Sequence, residues 1–164
     1  MMIHICSEQN DSCLTNVQQI DIQPNACDLR LGKVFQISNN TFVISEESKA
    51  HRGSVELQPD SDGTWTLGIG TYEIVMENNV TIGDGEAGWV ITRSTLNRNG
   101  VFITSGLYDS GYSGVMAGAM HVTTGPIKIR RGTRVAQFLL FKSESIGKYT
   151  GSYGASSEHD KKYI

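Results

Sequence analysis

The chain has 164 residues, a net charge of −3, 38% apolar residues and 19% charged residues. That length suits one domain with a core and is too short for two ordinary ones, and the balance is globular rather than disordered. Without an overall basic field the chain is not expected to bind a nucleic-acid polymer, whereas a local cluster of cations would serve a small anion.

The opening residues, MMIHICSEQN, have neither the basic flank nor the apolar run of a signal peptide. No later stretch is long and apolar enough to span a bilayer, so no membrane partner and a cytoplasmic location are expected. Cys6, Cys13 and Cys27 lack CxxC spacing and leave one thiol over in any disulfide scheme, which favours a reducing compartment. The four scattered histidines offer no zinc-ligand spacing. Up to about Asp21 the sequence is polar and assigns no element.

QPNACDLRLG follows, with Asp28 opening an apolar stretch; taken alone, this acid would make a turn. From here strand signals dominate: KVFQI, NTFVI, SVELQ, TWTLGI, TYEIVM, AGWVITR, GVFITS, GVMAGAMHV, IKIRR and RVAQFLLF. The segments SNN, DSDG, ENN, GDGEAG, NRNG, TTGP and RRGT read as the turns between them. Helical spacing is weak, and the best candidate is a short turn from Ser94 to Arg98. Many short strands at close spacing predict an all-β barrel or sandwich. The end of the chain, GKYTGSYGASSEHDKKYI, has no apolar pattern and by itself reads as a disordered tail.

Several residues along this path suit one chemistry. Arg93, Ser94 and Arg98 cluster in TRSTLNRNG, and Arg134 and Gln137 lie in RRGTRVAQFLLF. Asp109 sits among glycines and tyrosines in GLYDSGYSG, and Lys148, Tyr149 and Tyr153 lie in the tail. Each alone has a bland role: a turn, a surface charge, an amide satisfying backbone groups. Together they are the parts a nucleoside triphosphate needs. Arg and Ser supply donors to phosphate. Tyr and Gly supply an aromatic face and close backbone approach. A carboxylate orients water for phosphoanhydride hydrolysis, and Mg²⁺ arrives with the phosphates.

These segments resemble, in order, the motifs of the trimeric dUTPase and dCTP deaminase superfamily. QPNACDLRLG is similar to the first motif and WVITRSTLNRNG to the second, both in deaminase-like form. GLYDSGYSG is similar to the dUTPase third motif. GTRVAQFLLF resembles the fourth, closer to dUTPase, and GKYTGSYG resembles the C-terminal arm, closer to the deaminases. The likeness runs from about Gln23 to Gly154. It implies an all-β, distorted barrel or jelly-roll subunit over residues 1–147. It also implies a flexible arm over 148–164 that closes on the nucleotide, and a homotrimer with sites at subunit interfaces. By the same resemblance, Asp109 would activate or orient water and Tyr112 would pack on the deoxyribose. Arg93, Ser94, Arg98 and Gln137 would contact phosphate or its waters, Asp28 would support the metal and phosphate side, and Lys148 and Tyr149 would come from the arm. Mg²⁺ would ride on the phosphates without a direct protein ligand.

One position separates the superfamily's two activities. Deaminases carry a glutamate on the strand after the third motif, and the count from Gly114 puts that position at Ala119, which has no proton to move. GVMAGAMHV contains no acid, and His121 would share a face with Ala119 in a regular strand. The resemblance therefore implies a dUTPase, hydrolysing dUTP to dUMP and pyrophosphate. The departures at Gly111, Gly118 and Ser152 leave open a pyrophosphatase for dCTP or a modified pyrimidine nucleotide, or a bifunctional dCTP deaminase and dUTPase. A non-catalytic trimer binding a nucleotide or a protein is the alternative from another class.

Overall fold

A computed structural model describes residues 1–155 and 157–164. Among the described residues the strands are β1 (Met2–Ile3), β2 (Cys13–Leu14), β3 (Cys27–Ile37), β4 (Val43–Ile44), β5 (Lys49–Ala50), β6 (Ser54–Glu56) and β7 (Thr64–Leu67). They continue with β8 (Gly70–Thr81), β9 (Glu86–Thr92), β10 (Val101–Thr104), β11 (Ser113–Val122), β12 (Ile127–Arg130) and β13 (Arg134–Lys142). One short helix, α1 (Ser94–Asn97), and 3-10 turns at Gln19–Asp21 and His159–Tyr163 complete the set. The fold is all-β and antiparallel, as the strand pattern predicts, and the short helical turn falls where RSTLNRNG puts it.

The main sheet runs β1–β13–β3–β8–β11–β10, with β9 also on β13, and with β6 and β2 on β3 and β8. β3 bends between partners: its first half pairs with β13 and its second with β8, with a register break between Leu31 and Lys33. Gly32 makes this corner possible. A Cβ there would lie 3.1 Å from the Glu77 amide nitrogen and the Val75 carbonyl, so any other residue would push the two backbones apart by a few tenths of an ångström. Inside the curve, Leu29, Leu31, Ile74, Met116, Met120, Phe138 and Leu140 are essentially fully buried.

Two expectations change. ENN, read as a turn, lies inside β8. Asn78 is buried, and its amide accepts from the Arg30 N–H at 3.2 Å and donates to the Thr15 carbonyl at 2.8 Å, so a polar residue is satisfied within a strand. The unassigned N-terminal stretch also has a place. Met2–Ile3 pairs with Phe141 and Leu140, Cys13–Leu14 pairs with Thr81 and Val80, and buried Asp21 holds Arg30 through two contacts of 2.6 and 3.0 Å. Two-residue edge strands are too short to show a period.

The last residues fold back on their own chain. Tyr163 packs edge-on against Phe35 with ring centroids 5.7 Å apart, and Lys33 Nζ donates to the Tyr163 carbonyl at 2.7 Å. With Val75, Val115 and Ala117 these side chains form a second, smaller apolar cluster on the outer face of the sheet.

Candidate active site

Three of the segments singled out by sequence meet at Asp28. β3 and β13 pair so that Asp28 and Gln137 stand opposite one another, and β9 pairs with β13 on its other side, delivering Arg93 just past its end. The Asp28 carboxylate is fully buried. Arg134 Nη1 donates to Oδ2 at 3.1 Å, Gln137 Nε2 donates to Oδ1 at 3.1 Å, and Arg93 Nη2 lies 3.4 Å from Oδ2. Arg93 Nη1 also donates to the Arg134 carbonyl at 3.3 Å. Asp28 is thus committed on both oxygens, and its work is to align two guanidiniums whose remaining N–H groups point elsewhere. Their side chains stay 29% and 25% exposed, so solvent or a ligand can reach them. Ser94 opens α1 and Arg98 follows its end, both exposed, and Arg98 makes no ion pair among the described residues.

Asp109 lies elsewhere. It is exposed on a tight turn, closed by the Tyr112 N–H donating to the Asp109 carbonyl at 3.0 Å. Gly111 in this turn has φ +81°, a left-handed conformation that glycine adopts without strain. The turn is anchored at Ser110, whose hydroxyl donates to the Glu86 carbonyl at 2.7 Å and accepts from the Glu86 N–H at 3.2 Å. Glu86 is itself fully buried, taking Lys142 Nζ at 2.6 Å and the Ser12 hydroxyl at 2.5 Å. Burial disfavours its charge, but Lys142, Ser12 and the Asp11 N–H outweigh that and hold the carboxyl below its ordinary value. This network joins the N-terminal loop to the Asp109 turn, and nothing in the local sequence of GDGEAG announces it.

The two groups do not meet in the protomer. Tyr108 bridges to Gly88, four residues along β9 from Thr92, which is roughly 13 Å of extended strand. What surrounds Asp109 instead is the C-terminal segment. A cavity of about 470 Å³ is lined by Asp109, Ser110, Lys148 and Tyr149. The Tyr149 N–H donates to the Ser110 carbonyl at 2.8 Å, and Lys148 forms an exposed pair with Asp84 at 3.0 Å. Tyr149 also stands edge-on to Tyr112, with ring centroids 5.3 Å apart, and Tyr108 flanks Tyr112 at the same distance. Past Tyr149 a second cavity, about 490 Å³, runs along β11 from Tyr112 to Gly118. The tail seats over it where Gly114 has no side chain: a Cβ there would lie 2.8 Å from the Ala155 nitrogen.

Ala119 faces this region too. Its cross-strand partners are Thr104 on β10 and Glu73 on β8, so the acid missing from β11 has a carboxylate beside it that the count along one strand could not reveal. Both oxygens of Glu73 are engaged by donors. Burial works against its charge, but hydrogen bonds from Ser54, Tyr163 and Lys162 prevail and hold it below the ordinary glutamate value. His121 is tied as well, with Nδ1 at 3.1 Å from the Thr71 hydroxyl and Nε2 at 3.1 Å from the Thr104 hydroxyl.

The chain matches the family described as dCTP deaminase-like over residues 3–143. It is 33% identical over 136 residues to a probable deoxyuridine 5'-triphosphate nucleotidohydrolase of Halobacterium salinarum, covering 80% of this chain and 82% of that protein. It is 30% identical over 154 residues to a dUMP-forming dCTP deaminase of Nocardioides sp., covering 87% of this chain and 76% of that protein. In fold it is similar to the 2'-deoxycytidine 5'-triphosphate deaminase of Agrobacterium tumefaciens, with a TM-score of 0.60 at 19% identity over 77% of this chain, though it spans only 43% of that one. It is also similar to the dUTPase from phage phi11 of S. aureus, with a TM-score of 0.53 at 13% identity, covering 90% of this chain and 99% of that one.

Proposed function

Because the chain belongs to the dCTP deaminase-like family, we propose that it is a dUTP pyrophosphohydrolase, releasing dUMP and pyrophosphate by attack of a carboxylate-oriented water. The observation that carries this choice over deamination is the state of the groups around Ala119. The alanine has no proton to move, both oxygens of Glu73 are engaged by Ser54, Lys162 and Tyr163, and both nitrogens of His121 are occupied. A cytosine C4 attacked by water at this level would find no shuttle on the strand.

In this reading Asp109, exposed at the edge of its cavity, accepts the proton of the attacking water and sets its direction. Arg93 and Arg134, aligned by Asp28, donate to the phosphates with Ser94, Arg98 and Gln137. Asp28 is a positioning residue, since both its oxygens are already engaged. Tyr112 faces the deoxyribose, and Lys148 and Tyr149 close the phosphate side as the arm over residues 148–164. Among the described residues no three His, Cys, Asp or Glu side chains gather closely enough to hold a metal ion. Mg²⁺ would ride on the triphosphate, where it would neutralise phosphate charge.

The separation of the Asp28 and Asp109 groups supports a homotrimer whose sites take one group from each of two protomers. Exposed Trp89, Phe102 and Leu107 are suited to bury against a neighbouring copy. A related reading, a pyrophosphatase for dCTP or a modified pyrimidine nucleotide, is favoured by the small side chains of Gly118 and Ala119 beside the cavities. No helix among the described residues is long and apolar enough to cross a membrane.

A panel of deoxynucleoside triphosphates with Mg²⁺, assayed separately for pyrophosphate and ammonia, tests the proposal. Pyrophosphate from dUTP without ammonia from dCTP is expected; ammonia from dCTP refutes the argument from Ala119. In Asp109→Asn, turnover should fall by at least roughly 100-fold with nucleotide binding retained, and unchanged turnover removes Asp109 from the mechanism.

A further inference from the structure

We propose that His159 reads the Watson–Crick edge of the bound pyrimidine, its Nε2 accepting a hydrogen bond from a base N–H donor. This rests on the reading of the cavity beside Tyr112 as the nucleoside site.

Three cavities lie in a row. Leu107 and Tyr149 are shared by the one at Asp109 and the one at Tyr112; Gly118, His51, Glu73 and His159 are shared by the latter and the one at Ala119. A nucleotide with its reacting phosphate at Asp109 and its sugar at Tyr112 therefore points its base toward Gly118 and His159. Few polar groups at that end have capacity left. Glu73 is saturated by Ser54, Lys162 and Tyr163. His51 is exposed, and desolvation of its ring lowers its proton affinity.

His159 differs. Its Nδ1 lies 3.0 Å from Oδ1 of Asp160, whose side chain is only 5% exposed and whose Oδ2 accepts the Gly154 N–H at 2.7 Å. In the neutral ring a carboxylate at Nδ1 holds the proton there and leaves Nε2 with its lone pair. The ring is held in place by His51, Tyr153 and Tyr163, with centroids at 4.4, 5.0 and 5.9 Å. A fixed acceptor beside a pyrimidine-sized space matches uracil N3–H or the cytosine 4-amino group. It rejects a base whose donor is blocked, because an N3 substituent would fill the place of the hydrogen bond and leave the half-buried acceptor unpaired.

Calorimetric titration with dUMP and N3-methyl-dUMP tests this in the wild type, in His159→Phe, which keeps an aromatic ring without the acceptor, and in Lys162→Ala, which loosens the tail without touching His159. The wild type should prefer dUMP by roughly tenfold or more. His159→Phe should weaken dUMP roughly tenfold and leave N3-methyl-dUMP unchanged, whereas Lys162→Ala should weaken both alike. Equal loss for both ligands in His159→Phe, or no loss for either, overturns the assignment. Turnover of dUTP is read separately. A wild type that discriminates between the two monophosphates yet releases no pyrophosphate refutes hydrolysis and leaves the role of His159 standing.

Discussion

Replacing Asp28 with alanine should destabilise the protein and disorder its two arginines together. At 3.1 and 3.4 Å each ion pair has a gross attraction of about 5 kcal/mol at an effective dielectric of about 20. Most of that is offset by desolvating the fully buried carboxylate, so the pairs' net contribution is far smaller than their sum. Removing the acid is costlier than the net value implies, because Arg93 and Arg134 would face each other uncompensated; buried pairs broken this way lose about 3–5 kcal/mol. Both guanidiniums are about a quarter exposed and regain water, which puts the estimate near the lower end, about 3 kcal/mol. For a chain of this size that is a fall in Tm of roughly 6–12 °C. Asp28→Asn keeps the shape and one acceptor and should lose about half as much. Thermal denaturation followed by circular dichroism, at fixed protomer concentration, measures this. Titration with dUTP and deoxyuridine in parallel should show the loss confined to the phosphate-bearing ligand. A Tm for Asp28→Ala within about 2 °C of wild type would refute the view of Asp28 as the keystone of the arginine pair.

Two further outcomes follow from buried groups. Glu86 titrates below its ordinary value of 4.5 in the folded chain. Its contribution is therefore complete above that value and is lost as pH falls through the lower folded value. Glu86→Gln should lower stability at neutral pH and flatten the acid limb below about pH 4.5, measured as urea midpoints against pH; an unchanged limb assigns it to other carboxylates. Cys27 is fully buried, and burial, with the neighbouring Cys6 next, pushes its thiol up to about 12. A maleimide at neutral pH should label only Cys6 and Cys13 in the native protein, both exposed, and reach Cys27 on unfolding; native labelling of Cys27, read by peptide mass, contradicts its placement.

The strands that alternate or run β-branched, such as TWTL, AGWVIT and RVAQFLLF, were legible because their pattern is set by a core on one face. The short helix at Ser94 was legible from its turn residues, but the expected Ser or Thr cap is absent: Arg93 is the N-cap and no side chain caps the helix. ENN was not, because its asparagine is satisfied by backbone groups from residues 48 and 63 positions away. At the site, the likeness of the motifs singled out Asp28, Arg93 and Gln137, and the structure gathers them. It keeps Asp109 and Tyr112 in a second group, which no linear reading distinguishes. Glu73, Glu86 and the His159–Asp160 pair escaped notice for one reason. Each depends on a partner strand or a returning tail, and cross-strand register is not written in the residues of one strand.

The arginine pair also bears on what happens after the bond breaks. Two guanidiniums against one carboxylate leave the Asp28 cluster a net charge of only +1. A triphosphate with several negative charges meets it through many oxygens at once, whereas a monophosphate is left with few. Such a muted field discriminates by the number of phosphates rather than by gripping any one of them. The enzyme should therefore suffer little inhibition from its nucleoside monophosphate product, and its flux should follow the supply of triphosphate even as product accumulates.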